Sequence, residues 1–303
     1  MKSTFALALA ACLFFARPAA AAEGSAAIAN DPPADRAIPA SAHALQIPSH
    51  GQLMNAMIYL PAGKGPHPVA LLLHGFPGNE QNLDLAQALR RAGWAVITFH
   101  YRGSWGSAGT FSFDSVGEDG EAALAWARGS AIAEKLYFDP RRVVVIGHSM
   151  GGYVAAQLCA AHDDLRACVL VAPWDLSYDV RLVKDASPEQ RDRFAREQFD
   201  DVDGRVTGMS ARQVVDILAE QGQRWDLTKF AHAMAPRRLL VVLATRDSED
   251  DKALDLLPAL KAEHAAALRV VTLESDHGFN DKRIALENVV VKWLQALPGA
   301  PSH

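Results

Sequence analysis

Residues 147–151 form the segment Gly-His-Ser-Met-Gly, in which Ser149 lies between two glycines. The segment follows an apolar run at 143–146 and precedes a stretch of helical character. This is the G-x-S-x-G pattern in a strand–turn–helix context, which presents a serine hydroxyl as a nucleophile. Gly147 and Gly151 must be small because the strand and the helix approach closely at such a turn. We therefore predict that Ser149 attacks an acyl carbon and that the backbone N–H of Met150 contacts the developing negative charge.

A serine in this context needs an acid and a histidine, which follow it along the chain in that order. Of the eleven histidines, His277 alone comes shortly after the last predicted strand, at 268–273. Asp247 follows the preceding strand, at 239–243. We predict that His277 is the general base and that Asp247 orients it. The alternative acids in the same loop are Glu249, Asp250 and Asp251.

The loop after the first central strand should supply a second donor for the oxyanion. Residues 74–78 of this loop are His-Gly-Phe-Pro-Gly. We assign the donor to the backbone N–H of Phe76, since Pro77 has no N–H to give. We expect His74 to brace the loop through hydrogen bonds rather than to act as the base.

The pattern along most of the chain is an alternation of short apolar runs with helical segments. Such alternation predicts an α/β fold with a mostly parallel central sheet and helices on both faces. The run at 69–73 is entirely apolar, as in a buried central strand. Segments 44–47 and 51–60 are expected to form an antiparallel pair at the start of the domain.

The alternation stops between residues 174 and 236, where two charged helical stretches occur without a clear strand. Because this insertion directly follows a strand, we interpret it as a small helical cap over the site. Trp174, at the start of the cap, and Trp105 are candidates for the lining of the acyl pocket. We place a single domain, including the cap, at residues 43–298.

The N-terminal residues have the character of a targeting segment. Lys2 precedes a short apolar run at 5–15, and small alanines follow at 20–22. These features predict a signal peptide at residues 1–22 and an exported protein, periplasmic or secreted. The alternative is a lipoprotein anchored through Cys12. Residues 23–42 are rich in Ala, Pro and Asp, and we expect a flexible leader there.

Composition and charge narrow the classes of partner. The 303 residues are 50% hydrophobic and carry a formal net charge of -5, which suits one soluble core. No basic stripe indicates nucleic acid, no integral membrane segment is expected in the mature chain, and the oligomeric state is left open. No spacing of side chains indicates a metal site. Cys159 and Cys168 have apolar neighbours, so we expect buried free thiols in preference to a disulfide.

Taken together, these motifs resemble those of the α/β-hydrolases, and the likeness extends over roughly residues 45–297. The resemblance is to the branch with bacterial carboxylesterases, dienelactone-hydrolase-like proteins and prolyl-oligopeptidase-like peptidases. It rests on His74-Gly75, Tyr101-Arg102-Gly103 with Gly106, residues 147–152, Asp247 and His277. One departure is Ala244, where the family usually has Gly. We expect Arg102 to form a structural ion pair.

The resemblance implies hydrolysis of a small-molecule carboxylic ester, of short to medium acyl length, through an acyl-enzyme and without a cofactor. A peptidase of the aminopeptidase or prolyl-oligopeptidase type is one alternative on the same triad, and an acyltransferase is another. The remaining alternative is a non-catalytic binding protein built on a hydrolase scaffold.

Overall fold

The computed structural model describes residues 24–247 and 255–301. The predicted signal peptide, Cys12 and the alternative acids at 249–251 lie outside these residues. Within them, the strands are β1 (Ser41–Ser49), β2 (Gln52–Leu60), β3 (His67–Leu73), β4 (Ala95–Phe99), β5 (Phe138–His148), β6 (Ala167–Val171), β7 (Leu239–Ala244) and β8 (Leu268–Leu273).

The helices of the same ranges lie mostly between these strands. They are α1 (Ala26–Ala29), α2 (Leu83–Arg91), α3 (Ser115–Ala127), α4 (Ser130–Lys135), α5 (Met150–Ala161), α6 (Leu176–Val183), α7 (Pro188–Gln198), α8 (Ala211–Gln221), α9 (Ala231–Met234), α10 (Leu256–Ala262) and α11 (Arg283–Gln295). Two short 3₁₀ turns, Gly222–Trp225 and Leu227–Phe230, connect α8 to α9.

The strands form one sheet in the order β1-β2-β4-β3-β5-β6-β7-β8. β1 and β2 are antiparallel to each other, and β2 is antiparallel to β4, whereas the remaining neighbours are parallel. The prediction of a mostly parallel sheet with an antiparallel opening pair is confirmed. Because the parallel strands point the same way, the loops after β3, β5, β7 and β8 meet at one edge of the sheet.

Apolar side chains cover both faces of the central strands, as the uninterrupted apolar runs predict. One buried cluster includes Leu71 and Val145 and extends to side chains of α3 and α5. The other includes Leu72 and Val144 and extends to side chains of α2 and α11. A sheet enclosed in this way holds the loops at its edge in fixed relative positions, which a site assembled from several loops requires.

Helices α6 to α9 occupy the insertion between β6 and β7. Ser187 caps α7 and Ser210 caps α8, each in a reciprocal arrangement with the glutamine three residues later. This capping box satisfies backbone N–H groups that have no partner inside the helix. Arg212 of α8 joins the two helices through an ion pair to Asp192 of α7. The insertion is therefore a compact helical unit.

The segment predicted as a flexible leader contains secondary structure. α1 lies within it, and β1 begins at Ser41, before the predicted boundary at residue 43. Ser25 donates its backbone N–H to Asn288 of α11 at 2.8 Å and its hydroxyl to Gln295 at 3.2 Å. These partners are distant in sequence, and composition alone did not indicate them. In the ranges described, no helix has both the length and the apolar character that crossing a bilayer requires.

The expectation of free thiols is wrong in this structure. Cys159 of α5 and Cys168 of β6 form a disulfide, with Cα atoms 6.2 Å apart. That separation lies in the range that a disulfide bridges. The apolar neighbours that suggested free thiols surround both cysteines, but the packing of α5 on β6 decides that their sulfurs meet.

Candidate active site

Ser149 occupies a sharp turn between β5 and α5. Its φ of 57° and ψ of -123° are rare for a residue with a side chain, so the turn is strained. A Cβ atom on Gly147 would lie 1.9 Å from the carbonyl oxygen of Gly151, and one on Gly151 would lie 2.0 Å from that of Leu73. Gly147 therefore meets the helix as predicted, whereas the neighbour that excludes a side chain at Gly151 is the end of β3.

Asp247 and His277 come together at the edge where β7 and β8 end. His277 Nδ1 lies 2.5 Å from Asp247 Oδ2. The Asp247 side chain is 3% exposed and that of His277 is 30% exposed. A carboxylate oxygen accepts hydrogen bonds, so Nδ1 carries the proton and Nε2 of the neutral ring keeps its lone pair. His277 lines the same cavity as Ser149.

Backbone hydrogen bonds tie the loop of the acid to the loop of the histidine. Thr245 N–H donates to Leu273 O and Arg246 N–H to Ser275 O, both at 2.9 Å. These bonds continue the pairing of β7 with β8 beyond the end of the strands. The two loops therefore move as a unit, which keeps Asp247 and His277 within hydrogen-bonding distance.

His148 contacts the backbone of His277. His148 Nε2 lies 2.9 Å from the backbone oxygen of His277, and the two rings are 4.8 Å apart. Burial, reinforced by the neighbouring His277, lowers the pKa of His148 to about 3. The neutral ring must donate from Nε2, because a carbonyl oxygen only accepts. The sequence indicated only that this side chain points away from the nucleophile; its partner became evident from the fold.

The loop after β3 lies directly against Ser149. A Cβ atom on Gly75 would be 2.8 Å from the Cβ atom of Ser149. Phe76 lines the cavity, and its N–H makes no hydrogen bond within the part of the chain that the structure describes. Met150 is the first residue of α5, where backbone N–H groups have no partner inside the helix. Both candidate oxyanion donors therefore lie next to Ser149.

The loop is held by side chains on its far side. His74 Nδ1 lies 2.6 Å from Gly75 O, in agreement with the bracing role expected of His74. Trp105 Nε1 donates to Pro77 O at 2.7 Å. Trp105 lines a neighbouring cavity and not the one that contains Ser149. The expectation that Trp105 lines the acyl pocket is therefore not met, because the loop separates its ring from Ser149.

Arg102 makes the structural ion pair that the sequence suggested. Its side chain contacts Asp119 and Glu118, each at 2.5 Å, and its backbone N–H donates to Asp119 at 2.9 Å. Asp119 is fully buried and also accepts from Ser49 Oγ at 2.7 Å. Arg102 thereby fixes the loop after β4 to α3, away from the cavity of Ser149.

The cavity at Ser149 has a volume of about 220 Å³. Aromatic rings form one side: Trp174 lies 6.4 Å from Phe76 and 6.1 Å from Phe199 of the cap, between ring centroids. Glu80 and Asp201 contribute carboxylates to its lining, and among the described residues no Lys or Arg lines it. The site is thus small, partly aromatic and without a cationic side chain to receive an anion.

No metal site is found in residues 24–247 and 255–301, where His, Cys, Asp and Glu side chains form no group of three or more that could hold an ion. The cavity at Ser149 is lined by the serine, two histidines and two carboxylates.

Comparison with known proteins identifies the family. The model of the alpha/beta hydrolase family matches residues 70–286, which is more than half of the chain. The chain belongs to the alpha/beta hydrolase family. Its eight-stranded sheet and the helices on both faces are those of the alpha/beta-hydrolase fold, and the family supports hydrolase activity.

Relatives with similar sequences match only part of the chain. An uncharacterized protein of Mycobacterium tuberculosis is 29% identical over 144 residues, 47% of this chain and 49% of that protein. The lysophosphatidylserine lipase ABHD12 of Bos taurus is 30% identical over 132 residues, 41% of this chain and 31% of that protein. The chain thus matches about half, or less, of the length of these relatives.

A solved structure agrees over most of the chain. An esterase of Pyrococcus furiosus superimposes with a TM-score of 0.63, covering 89% of this chain and 98% of its own, at 14% identity. At 14% identity this similarity shows a shared fold, and it does not indicate the substrate of this alpha/beta hydrolase.

Proposed function

We propose that this protein is a serine hydrolase that cleaves uncharged carboxylic esters with short to medium acyl groups. The observation that carries the proposal is the hydrogen bond of His277 to buried Asp247 at the wall of the cavity that contains Ser149. A histidine oriented in this way by a carboxylate is the base that a serine nucleophile needs.

In the proposed reaction, His277 takes the proton of Ser149 as the serine oxygen attacks the ester carbonyl carbon. The N–H groups of Phe76 and Met150 donate to the oxyanion of the tetrahedral intermediate. The intermediate collapses as His277 passes its proton to the leaving alcohol, and an acyl-enzyme remains. Water then attacks the acyl-enzyme by the same steps, releasing the acid and restoring the serine hydroxyl. Asp247 stabilises the imidazolium in both halves.

The size and charge of the cavity support the choice of substrate. A volume of about 220 Å³ is below the usual range for pockets that enclose drug-sized ligands, roughly 300–1,000 Å³. The rings of Trp174 and Phe199 offer an apolar surface for a compact acyl group. Glu80 and Asp201 in the lining disfavour an anionic substrate. The name of the bovine relative describes a phosphorylated lipid, and for such a group this cavity has no cationic partner among the described residues.

Hydrolysis of p-nitrophenyl esters from acetate to palmitate tests the proposal. We expect kcat/KM to be highest for the short esters, to fall toward palmitate and to exceed kcat/KM for aminoacyl and prolyl amides. Ser149→Ala should lower kcat by about 10⁴-fold or more and abolish labelling by a fluorophosphonate. In Phe199→Ala, the enlarged cavity should move the maximum to longer esters.

Each alternative function predicts a different result in these assays. Faster cleavage of amides than of short esters would indicate a peptidase, and faster transfer to an added alcohol than to water would indicate an acyltransferase. A maximum at palmitate would contradict the substrate class. Labelling that persists in Ser149→Ala would contradict the nucleophile, and no labelling of the unaltered protein would favour a binding protein.

We also propose that the protein is exported, with cleavage near residue 22. The disulfide between Cys159 and Cys168 supports an oxidising compartment, where such bonds persist. N-terminal sequencing of the mature protein should begin near Glu23, and alkylation of the denatured, unreduced protein should leave both cysteines unmodified. A mature chain that starts at Met1, or a lipid on Cys12, would contradict this proposal.

A further inference from the structure

A second cavity, of about 660 Å³, lies behind the loop at residues 75–80. Met57 of β2, Leu72 of β3 and Thr98 of β4 contribute to its lining on the sheet, and Leu83 and Trp105 also line it. It shares no lining residue with the cavity at Ser149, so the loop separates the two. Its volume is well within the range of pockets that bind small molecules.

The lining of this second cavity carries no formal charge. Its polar side chains are amides, a threonine hydroxyl, a phenol, an indole and two imidazoles, and Asp, Glu, Lys and Arg are absent from the lining residues that the structure describes. An ionic ligand would lose hydration here without gaining a counter-charge. The lining therefore suits an uncharged molecule.

Two histidines in the lining provide a hydrogen-bond acceptor for a ligand. His74 Nδ1 donates to Gly75 O, and because burial lowers the pKa of His74 to about 3, its Nε2 keeps a lone pair. His100 Nδ1 lies 3.3 Å from that nitrogen and must be the donor. Burial also lowers the pKa of His100, so its ring is neutral and its Nε2 is an acceptor. Within the described chain, no side chain or backbone group donates to His100 Nε2.

Trp105 supplies a flat apolar surface next to this acceptor. Its ring is stacked at 28° to that of His100, with centroids 6.1 Å apart, and 37% of the residue is exposed. An aromatic ligand gains contact area on such a ring while a hydroxyl group on it reaches the histidine.

We propose that the second cavity binds an uncharged aromatic alcohol, which donates its hydroxyl hydrogen to His100 Nε2 and packs its ring against Trp105. Binding at this site does not require Ser149, since the two cavities share no lining residue. The ligand is not consumed there, because no nucleophile of the proposed reaction lines this cavity.

The second cavity is coupled to the loop through hydrogen bonds. Gly75 O, which accepts from His74, belongs to the same peptide group as the N–H of Phe76. A hydroxyl that donates to His100 strengthens the donation from His100 to His74 and from His74 to Gly75 O, because hydrogen bonds in a chain polarise one another. The polarised peptide makes the Phe76 N–H a better donor. This consequence rests on the proposed function, in which Phe76 stabilises the oxyanion.

Calorimetric titration of the full chain with 2-naphthol tests the binding site without reference to activity. We expect one molecule to bind, equally well in the unaltered protein and in Ser149→Ala. 2-Methylnaphthalene, which lacks the hydroxyl, should bind about tenfold more weakly, as expected for the loss of one hydrogen bond. The anion 2-naphthoate should bind more weakly still. Equal binding of the three compounds, or loss of binding in Ser149→Ala, would overturn the proposal.

Two variants locate the bound ligand. His100→Phe should weaken 2-naphthol about tenfold and leave 2-methylnaphthalene unchanged, because the acceptor of the ligand's hydroxyl is lost while an aromatic ring remains at this position. Ala44→Trp, at an exposed position of β1 that lines the cavity, should abolish binding of both compounds. His43→Trp is the matched control, since alternate residues of a strand face opposite sides of the sheet, and it should bind normally. Normal binding to both cavity variants would overturn the assignment.

The coupling between the second cavity and the proposed oxyanion donor is tested by steady-state kinetics. Saturating 2-naphthol should raise kcat on p-nitrophenyl acetate by about twofold in the unaltered protein and have no effect in Ala44→Trp. Binding without any change in kcat would overturn the coupling but not the site. If the protein proves not to hydrolyse esters, the calorimetric result is unaffected, so the two proposals fail separately.

Discussion

The histidines at and near the cavity of Ser149 differ in chemical character because their surroundings differ. His277 is 30% exposed and bonded to a carboxylate, an arrangement that stabilises its charged form during a proton transfer. His148 and His74 are buried, and each contacts a backbone carbonyl. A buried imidazole without a carboxylate partner resists protonation, so these two rings serve as neutral hydrogen-bond donors.

Substitution of the proposed acid gives a prediction at this scale. Asp247→Asn should lower kcat by about 10⁴-fold, because the amide cannot stabilise imidazolium and favours the wrong tautomer of His277. Steady-state kinetics on a short p-nitrophenyl ester measures the loss. Asp281→Asn is the matched control, since Asp281 lies nearby but pairs with Arg246 and Ser275, and it should keep most activity. A larger loss in Asp250→Asn than in Asp247→Asn would show that another acid has this function.

At the scale of the elements, the turn between β5 and α5 depends on contacts that leave no room for a side chain. Gly151 packs against the carbonyl of Leu73, which is the last residue of β3. The turn that carries Ser149 and the end of β3, where the proposed oxyanion loop begins, are therefore in direct contact through backbone atoms. Any displacement of one element moves the other, and both contribute to the proposed chemistry.

Gly151→Ala tests this contact. The added Cβ atom would lie 2.0 Å from Leu73 O, so backbone must shift, and we expect a loss of about 3 kcal/mol or more in the free energy of unfolding. Activity should fall as well, because the shift displaces Ser149. Urea denaturation and ester kinetics provide the two measurements. Gly129→Ala is the control: its nearest neighbours are 3.2 Å away, and the change should be within about 1 kcal/mol.

Local sequence indicates the boundaries of some elements and not of others. Local sequence marks the start of α7 (Pro188–Gln198), because Ser187 and Gln190 form a capping box and Pro188 occupies the first turn. The predicted strand at 143–146 was too short, since β5 begins at Phe138. Residues 139–142 are Asp-Pro-Arg-Arg, and their polar character conceals an extended segment. Phe138, at the start of β5, pairs with His67 of β3, and this tertiary contact is not contained in the local pattern.

At the scale of the whole molecule, the two buried neutral histidines make stability depend on pH. His74 and His148 have pKa values of about 3 in the folded protein, whereas an unfolded histidine titrates near pH 6.5. Between these values the unfolded chain binds more protons, so the free energy of unfolding falls as the pH falls. Each histidine contributes a slope of about 1.4 kcal/mol per pH unit in the middle of this window.

Urea denaturation between about pH 4.5 and pH 7 measures this dependence. We expect stability to decrease toward the acidic end and to change less with pH in His148→Gln, whose side chain does not titrate. The difference in slope should approach about 1.4 kcal/mol per pH unit near pH 5. Identical slopes for the two proteins would contradict the assignment of His148 as a buried neutral ring.

The sequence alone determined the features that depend on local pattern and on chain order. The turn at Ser149 was evident because its glycines, the apolar strand before it and the helix after it are contiguous. The proximity of Asp247 and His277 was predicted because the parallel strands β7 and β8 deliver their loops to one edge of the sheet.

The tertiary structure decided which side chains meet across elements. The disulfide between Cys159 and Cys168 depends on how α5 packs on β6, and the cavity beside Trp105 depends on which face of β1, β2 and β4 remains open beside α2. The hydrogen-bond chain from His100 through His74 to Gly75 joins the residue that follows β4 to the loop that follows β3. Such contacts depend on distances between segments far apart in sequence, which are set by the packing of the whole core and not by any local pattern.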